Sequence, residues 1–419
     1  MNIQSDLKQL IRLRLPGGVL QLSIGIALVI AILCSSIILL AYYTRLTTKR
    51  SELLSILRDN TISGIQYGMA HREDMPFHTT QNVDLFGEGI DSVRIVRRPW
   101  GVFEYLGVDA HRGRFHDMSF ALIGALPDTL GKAAIFLPGD NGQLSLAGKT
   151  RIEGNVYLPG KGLAMGFLDG KWYEGKQLIK EGKILKSGKL MPELDTATLK
   201  DFAGVAEWTS HRALPDLKRQ HYPFHMDSVF VFQYAGELVI DDSLSGNVVV
   251  KSDQRIIIRS TARIENAVFM APEIRVDDEF IGSLQLMATH LIVVGKKCKL
   301  YYPSSLSLVG HKRDSLISVG DSSKVEGIVV LPGLDRTTSS AGKLRIHKTA
   351  VVTGFVYVNG NSNLEGAVWG HITTARFEAQ ENTNYLLNAS ILASKRHPAL
   401  PASFLWGDSK TLTIAKWLD

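Results

Sequence analysis

The sequence predicts a mainly β protein: an N-terminal transmembrane helix with a helical stalk, a small antiparallel β region, then a parallel β-helix, or solenoid. Three observations predict this fold. An uncharged run extends from Leu15 to Thr44, an aliphatic pentad centred on Gly or Asn recurs between residues 152 and 368, and helical periodicity is scarce beyond residue 90. A β-sandwich with Gly turns is the alternative that the same short strands allow.

Composition sets the outer bounds. The chain has 419 residues, with 45% hydrophobic and 21% charged side chains, which excludes disorder over most of its length. The formal charge of +6 is spread along the chain. Its densest cluster, Arg94, Arg97 and Arg98, reads as a solvated face. With no nucleic-acid fold signature, nucleic acid is not an expected partner. The two cysteines, Cys34 in the apolar run and Cys298 in a β-like stretch, do not pair, so no internal disulfide is expected.

Residues 1–18 form a short basic tail, carrying Lys8, Arg12 and Arg14. Residues 19–44 form the transmembrane helix. At ~1.5 Å per residue the nearly unbroken apolar run from Val19 to Tyr43 exceeds the ~30 Å hydrocarbon core. Tyr42 and Tyr43 close it at the interface. Residues 45–75 continue as an amphipathic stalk, with Leu46, Leu53, Leu54, Leu57 and Ile65 among Lys49, Arg50, Glu52 and Arg58. Gly64 and Gly68 weaken its far end, and Met75-Pro76 ends it. Lys8, Arg12 and Arg14 before the span nearly balance Arg45, Lys49 and Arg50 after it, and the short tail with its three cations favours a cytoplasmic N-terminus. The chain is then a single-pass protein of the bacterial inner membrane, with an extracytoplasmic soluble part.

The stretch Arg12-Leu-Arg-Leu-Pro-Gly-Gly18, followed at once by the apolar run, resembles the start of type IV pilin-like proteins, and among them the large minor pseudopilins. The resemblance covers about the first 60 residues. It implies a basic leader that ends in Gly, with Gly17 or Gly18 marking a processing site, and a role at the tip or in the priming of assembly. The fifth residue after the leader is Ser23, where the family pattern has Glu.

Residues 86–169 read as a small β region with a first coil. Val93, Ile95, Val102, Phe103 and Tyr105 surround the turn Arg98-Pro-Trp-Gly101, and Arg112 to Ile123 is a third strand. His111 and His116 lie here, without a third metal ligand in view. The pentad runs aliphatic, any, Gly or Asn, any, Val. Its copies begin at Ile152 (Gly154), Leu244 (Gly246), Ile264 (Asn266), Val325 (Gly327), Val352 (Gly354) and Leu364 (Gly366), with Phe280 to Leu284 a looser copy. One aliphatic per coil would stack on the next, and Gly or Asn would take a corner of positive φ. Pro159 and Pro332 follow at the same offset and predict equivalent corners. Residues 170–225 form a Lys-rich insertion or linker, 226–395 the main solenoid and 396–419 a C-terminal tail. The Gly-spaced aliphatic strands resemble bactofilins and other polymer-forming bacterial β-helices, which implies a stiff scaffold.

No nucleotide-binding loop, nucleophile elbow, Cys-x-x-Cys or His-Glu-x-x-His is present, so catalytic, cofactor and metal residues are all expected to be none. His221 and His225 are split by Pro223. The paired acids Asp241, Asp242, Asp277, Asp278 and Glu279 read as turn residues, and as an acid–base cleft only in the competing reading. Trp172, Tyr173, Tyr301, Tyr302 and Trp369 would bury in the sheet or line a glycan groove. The expected function is a non-catalytic, membrane-anchored envelope scaffold or assembly component, pilin-like or part of a secretion system. Its partners would be the membrane, other envelope, pilus or secretion proteins or a second copy. The alternative is a membrane-tethered β-helix enzyme or binder of glycan.

Overall fold

The computed structural model describes residues 17–87, 89–127, 132–139, 142–194, 220–226, 228–309, 314–332, 342–380, 382–396 and 411–418. The basic tail through Pro16 lies outside them.

Helix α1 is one element from Gly17 to Ala70. Span and stalk are one continuous helix, as the sequence implied, and it stops before Met75. From Gly18 through Ser51 every residue is exposed, whereas Leu57 and Ile65 are fully buried. The buried half lies on an antiparallel sheet of β1 (Thr80–Val83), β2 (Ser92–Trp100), β3 (Phe103–Arg112), β4 (Phe115–Ala125) and a final strand, Leu412–Leu418. That final strand pairs with β4, with Leu412 opposite Ala125 and Leu418 opposite Phe120. The C-terminal tail read from sequence is therefore partly sheet. Alternation along Leu412-Thr-Ile-Ala-Lys-Trp-Leu418 was the available signal.

Both faces of this sheet are covered. Val93, Ile95, Leu106, Val108, Ala121 and Ile123 face α1. Val96, Trp100, Phe103, Tyr105, Phe120 and Leu122 face the rest of the chain. Gly64 and Gly68 do not weaken α1 here. A Cβ on Gly64 would stand 2.6 Å from Val108, and one on Gly68 would stand 2.8 Å from Leu106. Their missing side chains let the helix backbone sink onto the sheet.

The third layer is a parallel β-helix inserted between β4 and the final strand. Its first side stacks Leu244 on Ile264, Leu300 on Val325, Val325 on Val352, Val352 on Val368, Val368 on Ile391 and Ile391 on Ile152. Between Ile264 and Leu300 the register places Gly282, and the Phe280 ring lies against it. A second side stacks Phe232, Val250, Phe269, Leu286, Leu306, Val329, Val356 and Ile372. The third carries Ile256, Ile274, Ile292, Ile317 and Leu344. These residues make one buried core. Each buried aliphatic contributes about 1.5–3 kcal/mol over an exposed one.

Leu364 and Gly366 differ from the sequence reading. Leu364 stacks on Ile346 on the third side, and it is Val368 that joins the first column. The matching glycine is Gly370, which pairs with Gly354. Gly327, Gly354 and Gly370 share φ of +148°, +133° and +142°. A Cβ on Gly354 would lie 2.0 Å from the Gly327 carbonyl oxygen. Another corner uses no glycine: Glu279, Lys297, Ser322 and Thr349 hold φ between +56° and +67°. Nothing in residue type marks that corner in the sequence.

The early coil sits at the far end of the main one. Ile135 stacks on Ile372, Val156 on Ile135 and Ile184 on Val156. Leu146 stacks on Leu386. One turn is therefore composite, with two sides from Tyr385–Leu387 and Ser390–Leu392 and the other from Ile135–Phe136. Winding continues through Leu158 to Lys186, so part of the segment read as a linker is coil. At the opposite end, Gln220–Tyr222 belongs to the first turn. Val156 and Val329 fall on one side, which places Pro159 and Pro332 at equivalent corners.

Candidate functional site

The arrangement most able to do work is the seat of α1 on the sheet and the joint between sheet and coil. At the start of the seat, Thr61 Oγ1 and Ser119 Oγ are 2.7 Å apart, and Asn60 Nδ2 donates to Asp91 Oδ2 at 2.9 Å. Arg112 also donates to both Asp91 oxygens, and this guanidinium chiefly holds the carboxyl below its usual range. At the far end Glu104, with no exposed surface, accepts from Arg72 Nη2 at 2.6 Å and Arg97 Nε at 2.8 Å. Arg97 Nη1 donates to the carbonyls of Arg72 and Met75 at 2.6 and 2.5 Å. The helix is thereby pinned at the start of its buried half, and the turn that follows it is pinned at the far end.

The arginine cluster is not a solvated face. Arg97 and Arg98 are 7% and 6% exposed. Arg98 stacks its guanidinium 4.4 Å from the Tyr105 ring and donates to the His225 carbonyl at 2.7 Å. Tyr105 donates its hydroxyl to the same carbonyl at 2.9 Å. The short turn between two strands that face a second layer buried these cations, and sequence spacing alone did not show that layer.

The joint has a polar clamp inside its apolar contact. Val231, Val249, Val268, Ile328 and Phe355 of the coil pack against Trp100, Phe103, Tyr105 and Phe120. Among them Gln285 Oε1 accepts from the Val102 amide at 2.9 Å, and Nε2 donates to the Trp100 carbonyl at 3.0 Å. Ser305 Oγ donates to the same Oε1 at 3.1 Å. One side chain thus stands in for a strand neighbour at the β2–β3 turn. Nothing in the sequence distinguished Gln285.

Beside the seat lies an open groove of about 710 Å³, lined by Leu54 and Arg58 of α1, Met118 and Phe120 of β4, and Trp417 and Leu418.

The other residues singled out from sequence separate. Asp277 pairs with Arg259 and Glu279 with Lys297, both at 3.0 Å, while Asp278 Oδ1 accepts from the Lys296 amide at 2.7 Å. These acids serve a corner. His221 Nδ1 contacts Ser245 Oγ at 2.8 Å, and His225 contributes its carbonyl to the joint. Cys298 is buried, and burial pushes its thiol up. Tyr302 is raised for the same reason. Trp172 and Tyr301 are exposed, Tyr173 and Trp369 half-buried. Among the described residues no group of three or more His, Cys, Asp or Glu could hold a metal ion.

Fold and seat together define the class: a β protein whose three layers are helix, antiparallel sheet and parallel coil. Its helix is, by length and composition, able to cross a membrane. No protein-family model and no curated protein matches the chain. Among solved structures, it is similar to the competence-associated pilin ComZ from Thermus thermophilus, at 10% identity, over 82% of this chain and 86% of that one. The TM-score is 0.24.

Proposed function

We propose that this chain is a non-catalytic, single-pass envelope protein of the pilin-like kind, in which α1 anchors the molecule and the coil is the element presented to partners. The observation that carries the reading is the division of one helix. Its first half is uncharged and exposed on every side, its second half is seated on the sheet through Asn60, Thr61 and close-packed glycines, and Arg72 just beyond it is held by Glu104. An exposed apolar half suits lipid, and equally the matching helix of another subunit. The pinned half passes force or position to the coil through the clamped joint, since packed layers of this kind move as one body.

In this reading the chain sits in the bacterial inner membrane with its soluble part outside, and works in a pilus or secretion assembly. N-terminal sequencing of the protein extracted from membranes tests it. A start at Gly18 or Val19 supports a pilin-like processed subunit. An intact Met1 removes that reading and leaves an ordinary anchor. Protease added to spheroplasts tests the topology, and cleavage only after lysis reverses it. The competing glycan enzyme predicts that Asp277→Asn with Asp278→Asn abolishes turnover of envelope glycan. With those acids engaged at a corner, no such loss is expected.

A further inference from the structure

We propose that the outward face of the coil's third side, at the end away from the first turn, binds an acidic polysaccharide. This names what the presented coil meets, and so rests on the reading above. Alternation along each strand makes the face. Ile256, Ile274, Ile292, Ile317 and Leu344 point into the core, and the residues on either side of them point out. In one outward column Glu237, Arg255 and Glu273 occupy successive turns, and further along Lys343, Asn361 and Arg376 do. In the neighbouring column Ser318, Arg345 and Asn363 do.

The two ends of this face carry charge differently. Near the first turn Arg255 Nη1 meets Glu237 at 3.0 Å and Nη2 meets Glu273 at 2.9 Å, so the turns on either side neutralise it. At the other end the neighbours are amides and a hydroxyl. Asn361 separates Lys343 from Arg376, and Arg345 lies between Ser318 and Asn363. Lys343 shares Glu378 with Asn361, at 3.6 and 3.0 Å. The exposed guanidiniums of Arg345 and Arg376 meet no acid among the described residues. An anionic chain laid along the face would supply the missing counter-charge.

Three further features select a sugar chain. A hollow of about 200 Å³ lies beside the patch, lined by Lys348 and Asn363, by Asn388, and by Asp169 and Lys171 of the Phe167–Trp172 hairpin. Glu365 also lines it. Lysines there suit carboxylates, while the amides and the two acids suit sugar hydroxyls. The same hairpin holds Trp172 and Phe167 68% and 49% exposed, with ring centroids 5.0 Å apart. Such a pair offers a flat apolar surface on which the C–H face of a pyranose can stack. Successive turns are spaced at about 4.8 Å, close to the length of one sugar residue in an extended chain. Single-stranded nucleic acid asks instead for a run of stacking aromatics along a uniformly basic groove, and the acids in the hollow oppose it.

Calorimetric titration of polygalacturonate oligomers into the full chain in detergent tests the site. Binding that weakens as salt is raised is expected, with no heat from neutral dextran oligomers. Arg345→Ala with Arg376→Ala should weaken it roughly tenfold or more, since each removes a hydrogen bond to a charged group. Trp172→Ala should weaken it as well. Arg259→Ala, which removes a cation already paired with Asp277, should leave it unchanged. All four side chains are exposed, so circular dichroism should not change. No heat with polygalacturonate, equal heat with dextran, equal binding by the double arginine variant, or tighter binding of a single-stranded oligonucleotide overturns the proposal. Cleavage in spheroplasts only after lysis would overturn the topology instead, and would leave the titration as it stands.

Discussion

In the sheet, β2, β3 and β4 pair with their chain neighbours across short turns. In the coil, strands stack on segments a full circuit away, as Leu244 does on Ile264 and Val325 on Val352. The sheet buries two unlike faces, one against a helix and one against the coil. The coil buries the inward side of every strand against its own copies. The difference teaches where a substitution will be felt. In the coil one intruding atom separates two successive turns. In the sheet the sensitive points are the polar pins that join layers.

The coil side of that contrast gives the largest effect. Gly354→Val places a side chain on the carbonyl of the turn beneath, at a φ that a β-branched residue avoids. A loss of roughly 4 kcal/mol or more in denaturant unfolding is expected. A loss below ~1 kcal/mol would mean that the turns are not in contact there. On the sheet side, Glu104→Ala leaves Arg72 and Arg97 facing each other without their buried anion. The expected cost is about 3–5 kcal/mol, with faster hydrogen exchange at the end of α1. Between the two regions, Gln285→Ala strips the Val102 amide of its acceptor. It should cost about 1–3 kcal/mol, and exchange at Val102 should rise while the coil core stays protected. Equal exchange across both regions would show sheet and coil opening together.

The smallest effect concerns acid. Arg112 lowers the Asp91 carboxyl in the folded protein, so the unfolded chain takes up its proton first as pH falls. This contribution is in place at neutral pH and is lost as pH drops through the lowered value. Thermal unfolding at pH 7 and pH 3 should show it, and Arg112→Met should shrink the difference. The size is below about 1 kcal/mol for a partly exposed pair.

The same contrast explains how much was legible. The aliphatic columns could be read because the pentad repeats one physical requirement at each turn, and Gly327 and Gly354 mark a corner that only glycine fits well. Leu364 was misplaced because Leu-Glu-Gly-Ala-Val matches the pattern four residues before the true Val368-Trp-Gly-His-Ile372. The corner of Glu279, Lys297, Ser322 and Thr349 left no trace, since its conformation is imposed by stacking. The final strand was hidden by distance along the chain. For the candidate sites, Arg97 and Arg98 looked exposed because their partners, Glu104 and the His225 carbonyl, are fixed by layers and not by spacing.

The composite turn bears on how the chain can be made. Residues 133–136 need Ile391 and Leu386 beside them before their own layer closes, and ribosomes deliver those residues some two hundred and fifty positions later. The far end of the coil must therefore wait, with its apolar strands uncovered, until nearly the whole polypeptide has emerged. A truncation before Leu392 would strip support from strands near the beginning.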